Sequence, residues 1–335
     1  MIQFRHPDRR RIRIDALKLA KGTCTHQPLA ARWNLSRPKA HGEQPLGIGG
    51  FHLGTAVDDA TAKRIVDIAL DAGINFFDNA WEYHDGLSEE RLGRALEGKR
   101  DGVVLMTKVC THGRDKDVAM KMLEQSLRRL RTDHLDIWQI HEVAYDNDPE
   151  LIFRPGGVME ALEAAKKQGK VRFVGFTGHK DPGIHLEMLA RNYPFDTVQM
   201  PLNVLDATYA RSFEQLVLPE AIRLGIAPLG MKSFGGSGEM ITNGAVRIDT
   251  ALAYAMSLPV ATTISGMERV EVLQQNLAVA RGFTKLSDSE MTEIRNAVRV
   301  FSADGRFELY KTTKKYDGEI GRAQHGFPTA QKLPV

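Results

Sequence analysis

Few cysteines, no long apolar run and no metal-ligand spacing: this 335-residue chain is first defined by what it lacks. Its two cysteines, Cys24 and Cys110, make no disulfide framework and fit a reducing compartment. No apolar run approaches the roughly 18 residues that span a bilayer, so no membrane partner is expected and a cytoplasmic location is. The histidines at 52, 84, 112, 141 and 179 show neither His-x-His nor His-Glu-x-x-His spacing, so no metal is expected and a metal hydrolase is disfavoured. There is no low-complexity tract.

Charge of one sign is lacking too, with 45 Lys/Arg against 42 Asp/Glu. The balance is uneven along the chain. Residues 1–45 carry ten basic and three acidic side chains, and the remainder is slightly acidic. The basic excess therefore belongs to the N-terminal extension, and the main body shows no face for nucleic acid. Arg9-Arg10-Arg11 resembles the start of an export signal, but Arg13, Asp15, Lys18 and Lys21 interrupt the stretch that would have to be apolar. The extension is expected to be solvated and disordered.

From residue 46 onward, short apolar runs alternate with amphipathic stretches. The runs are 46–50, 75–80, 103–109, 135–141, 172–178, 197–203, 226–231 and 261–267. Their spacing, roughly 30 residues, is that of a β-strand plus a returning helix. Helical periodicity fills 60–73, 117–130 and 158–169, with Gly73 and Gly169 placed as C-terminal caps. Eight such units predict an α/β fold, a closed (β/α)8 TIM barrel over residues 46–301, ending in a helix over 287–301. A doubly wound sheet is the alternative, but its Gly-x-Gly-x-x-Gly after the first strand is missing. Residues 302–335 form a polar tail, expected near the barrel mouth, with aromatics at Phe307, Tyr310, Tyr316 and Phe327.

In such a barrel, chemistry sits at the C-terminal strand ends. Asp78, Tyr83, Lys108 and His141 fall there. A phenol has an ordinary pKa near 10, which a neighbouring ammonium should lower. Asp78 can fix Lys108 and keep it charged, so Tyr83 is placed to act as general acid. His141, on the next strand, can hold a carbonyl oxygen. Lys232-Ser233-Phe234-Gly235-Gly236-Ser237-Gly238 combines a cation with glycines that permit close backbone approach, which suits a pyrophosphate.

The segments GINFFDNAWEYHDGLSEERLGRAL (73–96), LMTKV (105–109), SLRRLRTDHLDIWQIH (126–141), VRFVGFTGH (171–179), QMPLN (199–203) and ISGMERVEVLQQN (264–276) resemble the aldo-keto reductase superfamily. The resemblance covers about residues 46–280 and implies reduction of an aldehyde or ketone with NADPH, NADH being the alternative. It implies Tyr83 as proton donor, tuned by Lys108 and Asp78, and His141 as the residue orienting the carbonyl. For the cofactor it implies Gly50, Thr177, Gly178, Gln199, Met231, Lys232, Ser233, Gly235, Gly236, Gly266, Glu268, Arg269, Gln275 and Asn276. Gly178 stands where the family commonly has asparagine, so one side-chain contact is lost there. For the substrate it implies Phe51, Trp81, Glu82 and Cys110, with His84, Asp85 and Trp138 as looser candidates. Residues 1–45 do not read as the hairpin that plugs the barrel bottom in many members.

Two other readings compete. Some relatives in the superfamily bind the cofactor tightly, turn over slowly and modulate a partner, so a redox-sensing subunit is the alternative function. A Schiff-base lyase using Lys108 would need that lysine desolvated beside another cation, whereas Asp78 opposes this. Oligomeric state is left open.

Overall fold

The computed structural model describes residues 46–110, 114–313, 322–323, 325–326 and 328. The expectations for residues 1–45, Cys24, His112, Tyr316 and Phe327 lie outside these residues. Eight strands run parallel and close on themselves: β1 (Leu46–Gly49), β2 (Phe76–Asp78), β3 (Val104–Val109), β4 (Leu135–Ile140), β5 (Val171–Thr177), β6 (Thr197–Pro201), β7 (Ala227–Met231) and β8 (Thr262–Gly266). The seam pairs β8 with β1, from Leu46 opposite Thr263 to Gly49 opposite Gly266. Almost every strand residue is buried, as parallel strands covered on both faces must be. The doubly wound alternative is thereby excluded.

Alternation along the strands places the chemistry. The lower interior is filled by Phe76, Val104, Met106, Ile137, Phe173, Ala227, Leu229, Ala261 and Ile264. Side chains two positions apart share a face. Stepping by two toward the C-terminal ends leads from Phe76 to Asp78, from Met106 to Lys108 and from Ile137 to Gln139 and His141. The same step leads from Phe173 to Thr177 by way of Gly175, from Leu229 to Met231 and from Ile264 to Gly266. Gln139 reaches across to the Thr197 hydroxyl at 2.8 Å, which puts Thr197, and with it Gln199, on the same inner face. An apolar plug thus supports a polar layer at the mouth.

The helices between the strands match the expected spans to within two or three residues, for example Asp59–Asp71, Lys116–Arg129 and Val158–Lys167. Asp58 caps the first of these through Thr61 N at 2.7 Å. Gly73 and Gly169 take left-handed φ of 92° and 74° just past the helix ends, which spares a side chain the strain of that turn. The last long helix, Asp288–Ser302, opens with a reciprocal box between Ser287 and Glu290. Among the described residues no helix is long and apolar enough to cross a membrane.

Candidate active site

The loop after β2 carries the proposed acid. Trp81 N bonds to Lys108 O at 3.1 Å, and Tyr83 N bonds to Ala80 O at 3.2 Å, so the chain leaves the strand in a tight turn. His84 and Asp85 follow with φ of 53° and 56°, two consecutive left-handed residues with side chains. Such strain persists only where its surroundings enforce it. Here the His84 ring is held to Phe51 O at 2.8 Å. The turn points the Tyr83 hydroxyl at Lys108 Nζ, 3.4 Å away. Lys108 also pairs with Asp78 and donates to Asn79 O at 2.7 Å. The Phe51 ring stands edge-on to Tyr83, with centroids 5.4 Å apart.

Electrostatics correct one expectation. Lys108 does not lower the pKa of Tyr83 overall. Burial raises it well above 10, and the carboxylates of Asp78, Glu82 and Glu142 add to that. The ring still reaches the surface, so solvent softens the effect without reversing it. Lys108 is itself pushed down by burial, against the opposing pull of Asp78. The phenol is therefore protonated in the free protein, which is the form a proton donor needs.

His141 follows β4, with its backbone N bonded to Val109 O at 3.0 Å. Its ring lies 5.6 Å from that of Tyr83. Its Nδ1 comes within 2.5 Å of a Glu82 carboxylate oxygen. The other oxygen accepts the Cys110 thiol. Trp81, expected in the substrate pocket, is instead turned outward. Its indole nitrogen donates to Gln125 Oε1 at 2.7 Å, and Arg129 lies 5.0 Å over its ring. Trp81 and Glu82 lie in the turn after β2, and with Trp81 held against Gln125 and Arg129 the Glu82 carboxylate faces His141. Trp138 is likewise fully buried in the outer core.

A second group of side chains rings the same mouth. Asn79 Nδ2, Thr177 Oγ1 and Gln199 Oε1 are buried and make no hydrogen bond among the described residues. Gln199 Nε2 reaches Asp78 at 3.4 Å. Buried polar atoms without partners cost free energy and are rare, so three of them in one place indicate a ligand with complementary groups. At Gly178 a Cβ would lie 2.2 Å from Val143 O and 2.8 Å from His185 Cε1, so no side chain fits. Gly178→Ala is expected to displace the β5 end, to cost about 1–3 kcal/mol in a chemical denaturation curve and to weaken cofactor binding.

Gly50 has a similarly close neighbour, Asp78 O, 2.4 Å from a notional Cβ. Beyond β7, Lys232 adopts φ 55° and Gly235 φ 80°, folding the loop back on itself with Gly235 N on Lys232 O at 2.9 Å. Ser233 is buried, Gly236 and Met231 partly exposed. Burial lowers Lys232 to about 8, although its partly exposed stem admits solvent. Beyond β8, the His52 ring packs against Gly266, and Glu268 is shared between His52 (3.4 Å) and Arg269 (3.5 Å). On the helix Val270–Arg281, Gln275 is exposed, whereas Asn276 is buried with Nδ2 on Ser265 Oγ at 3.2 Å.

The tail reaches the same mouth. Tyr310 is fully buried, with Lys232 Nζ 5.0 Å from its ring centre and the His179 ring 5.8 Å away. Asn203 Nδ2 contacts Lys232 O, Glu308 Oε1 and Tyr310 OH, each at 3.2 Å. Tyr310 was named among the tail aromatics, whereas Asn79, Glu142, His52 and Asn203 were not singled out as site residues from sequence. Asn79 and Glu142 could have been, since each directly follows a strand-end residue that was. The others come from distant segments and left no local signal.

Residues 45–239 match the profile of the Aldo/keto reductase family. An uncharacterized oxidoreductase of Bacillus subtilis is 26% identical over 294 residues, 75% of this chain and 91% of its own length. The 6-dehydroglucose reductase of Novosphingobium aromaticivorans is 31% identical, over 59% of this chain and 66% of its own. Among solved structures, an aldo-keto reductase from Bacillus halodurans in its holo form superposes with TM-score 0.63 at 25% identity, covering 76% of this chain and 91% of that one. An aldo-keto reductase from Klebsiella pneumoniae in complex with NADPH gives 0.61 at 23%, with coverages of 76% and 91%.

Proposed function

This chain belongs to the aldo-keto reductase family, and from that premise we propose that it reduces an aldehyde or ketone to an alcohol with NADPH. When bound, the nicotinamide supplies the hydride. The chain's own residues do the rest. Tyr83 delivers its proton to the carbonyl oxygen, and Lys108, held by Asp78 and Asn79 O, steadies the phenolate left behind. His141 lies beside Tyr83 and orients the same oxygen. Phe51 and Tyr83 form an aromatic wall on which the substrate packs.

The observation that carries this reading is the unpartnered trio of Asn79, Thr177 and Gln199 beside the tetrad. Together they offer a donor, a hydroxyl and an acceptor, the complement of a carboxamide. Lys232 with its glycine-rich loop suits the pyrophosphate, and Arg269 suits a 2′-phosphate. The NADPH in the Klebsiella pneumoniae structure supports the same choice. The protein should quench NADPH fluorescence with a lower Kd than NADH, and should then consume NADPH with members of an aldehyde, ketone and sugar-aldehyde panel. Absence of NADPH binding would sink the proposal. Slow single turnover of bound NADPH with a co-purifying protein would favour a redox-sensing subunit instead.

Lys232 adds a pH signature. Free, it loses its charge as pH rises through about 8. A bound pyrophosphate favours the charged form and raises that value. NADPH affinity should therefore fall between about pH 8 and the ordinary lysine range, with proton uptake on binding near pH 9. Titrations in two buffers of different ionisation enthalpy would measure it, and a flat affinity from pH 7 to 9.5 would remove Lys232 from the site.

A further inference from the structure

Glu82 directly precedes the proposed acid, and its carboxylate lies between two residues of other strands. One oxygen accepts the Cys110 thiol at 2.5 Å, and the other lies 2.5 Å from His141 Nδ1. The approach to Nδ1 does not meet the geometry of a straight hydrogen bond, so the pair is a close contact imposed by the backbone on either side. The carboxylate is not a loose surface group. Trp81, one residue before, is pinned by Gln125 and Arg129. Tyr83, one residue after, is fixed by Lys108 and followed by the two left-handed residues. The backbone therefore holds Glu82 against His141 from both sides. Its side chain is 29% exposed and that of His141 11%, so the contact is screened only in part.

A carboxylate on Nδ1 settles which ring nitrogen faces the reaction. Nδ1 carries a proton toward Glu82, and Nε2 is left for the substrate. His179 interacts electrostatically with His141, and Asp78, Lys108, Glu142 and Lys232 are the charged groups acting on Tyr83 and His179 at the same mouth. Glu82 lies in contact with Nδ1. The Cys110 thiol occupies the second oxygen and keeps the carboxylate from rotating away.

We infer that Glu82 is a positioning residue for carbonyl reduction: through Nδ1 it holds the His141 ring in one orientation beside Tyr83, with Nε2 left facing the substrate. This rests on the reductase reading given above. Glu82→Gln keeps the shape and removes the charge, and Glu82→Leu removes both. In the full-length enzyme, each should lower kcat for the best panel substrate about tenfold to a hundredfold, the scale of one hydrogen bond to a charged group. NADPH Kd and the denaturation midpoint should stay as in the wild type.

A double-mutant cycle separates positioning from mere support. Once His141→Asn is in place, Glu82→Gln should cost nothing further. Full additivity, or an unchanged kcat in Glu82→Gln, overturns the inference. A second readout needs no turnover. In 15N spectra of the histidine-labelled wild type, the His141 Nδ1 should be protonated, and in Glu82→Leu the Nε2-protonated tautomer should gain at its expense. If the spectra behave so while no carbonyl is reduced, the pair stands and the reductase reading fails. If the spectra do not change, the inference fails whatever the activity.

Discussion

Replacing Tyr83 by phenylalanine should reduce carbonyl turnover by about 10²–10⁴-fold, the range a positioned general acid supplies. The substitution removes one oxygen and almost no volume. That oxygen lies 3.4 Å from Lys108 Nζ. The Phe51 ring packs edge-on against the Tyr83 ring, a contact phenylalanine keeps. NADPH binding should survive, because Asn79, Thr177, Gln199 and Lys232 are untouched. The loss should therefore fall on kcat, with the cofactor Kd constant within about twofold, which fluorescence titration and steady-state kinetics together would read. Water could still protonate the oxygen slowly, so a small residual rate is expected. Wild-type turnover in Tyr83→Phe would remove this residue as proton donor.

The second large effect concerns stability. Lys311 is fully buried and pairs with Asp206 and, at 3.0 Å, with Glu308. Rings of Tyr209, Phe213 and Tyr310 surround its ammonium at 5.1, 5.6 and 5.9 Å. Asp206 meanwhile accepts from Phe213 N at 3.0 Å and Glu214 N at 2.8 Å, and so caps the following helix as well. Removing the cation leaves two buried carboxylates facing each other. Breaking such a pair from one side typically costs about 3–5 kcal/mol. Lys311→Met should lose that much in urea or guanidinium denaturation.

Burial already raises Glu308, so it can take up a proton and soften the loss at lower pH. The deficit in Lys311→Met should accordingly narrow as pH falls. A loss below about 1 kcal/mol would show that the tail is not anchored through this cluster. Because Asn203 bonds both Glu308 and the Lys232 carbonyl, the same variant should also loosen the loop after β7 and weaken NADPH binding.

The barrel was legible from Leu46 to Gly266 because parallel strands buried on both faces must be apolar runs, and the helices returning between them must be amphipathic. Asp78 and Lys108 were legible for the same reason: they interrupt apolar runs at strand ends where the rules of a strand give no cause for it, and Tyr83 and His141 follow just beyond. Trp81 was misplaced because a side chain in a loop has no periodicity, and only the packing against Gln125 and Arg129 decides its direction. The acidity of Tyr83 was misjudged because a list of neighbours shows Lys108 and not the desolvation that outweighs it.

Some substitutions became intelligible only in three dimensions. Gly178 looks like a lost cofactor contact in sequence, yet the Val143 carbonyl and the His185 ring leave room for nothing larger. Glu82 looks like one acidic residue among many until it meets Cys110 and His141 from β3 and β4. The buried knot of Asp206, Glu308 and Lys311 joins residues about a hundred positions apart.

What the amino-acid order determined alone was the period of the chain, hence eight strands, their inward faces and the level at which polar side chains appear. Those are local properties, set by which neighbours along the chain are apolar. Which charges meet, which side chain turns outward and which polar atoms are left for a ligand were decided by closure of the barrel. Burial and pairing energies depend on distance in space: Lys108 meets Asp78 only when β3 pairs with β2, and His52 meets Glu268 only when β8 meets β1.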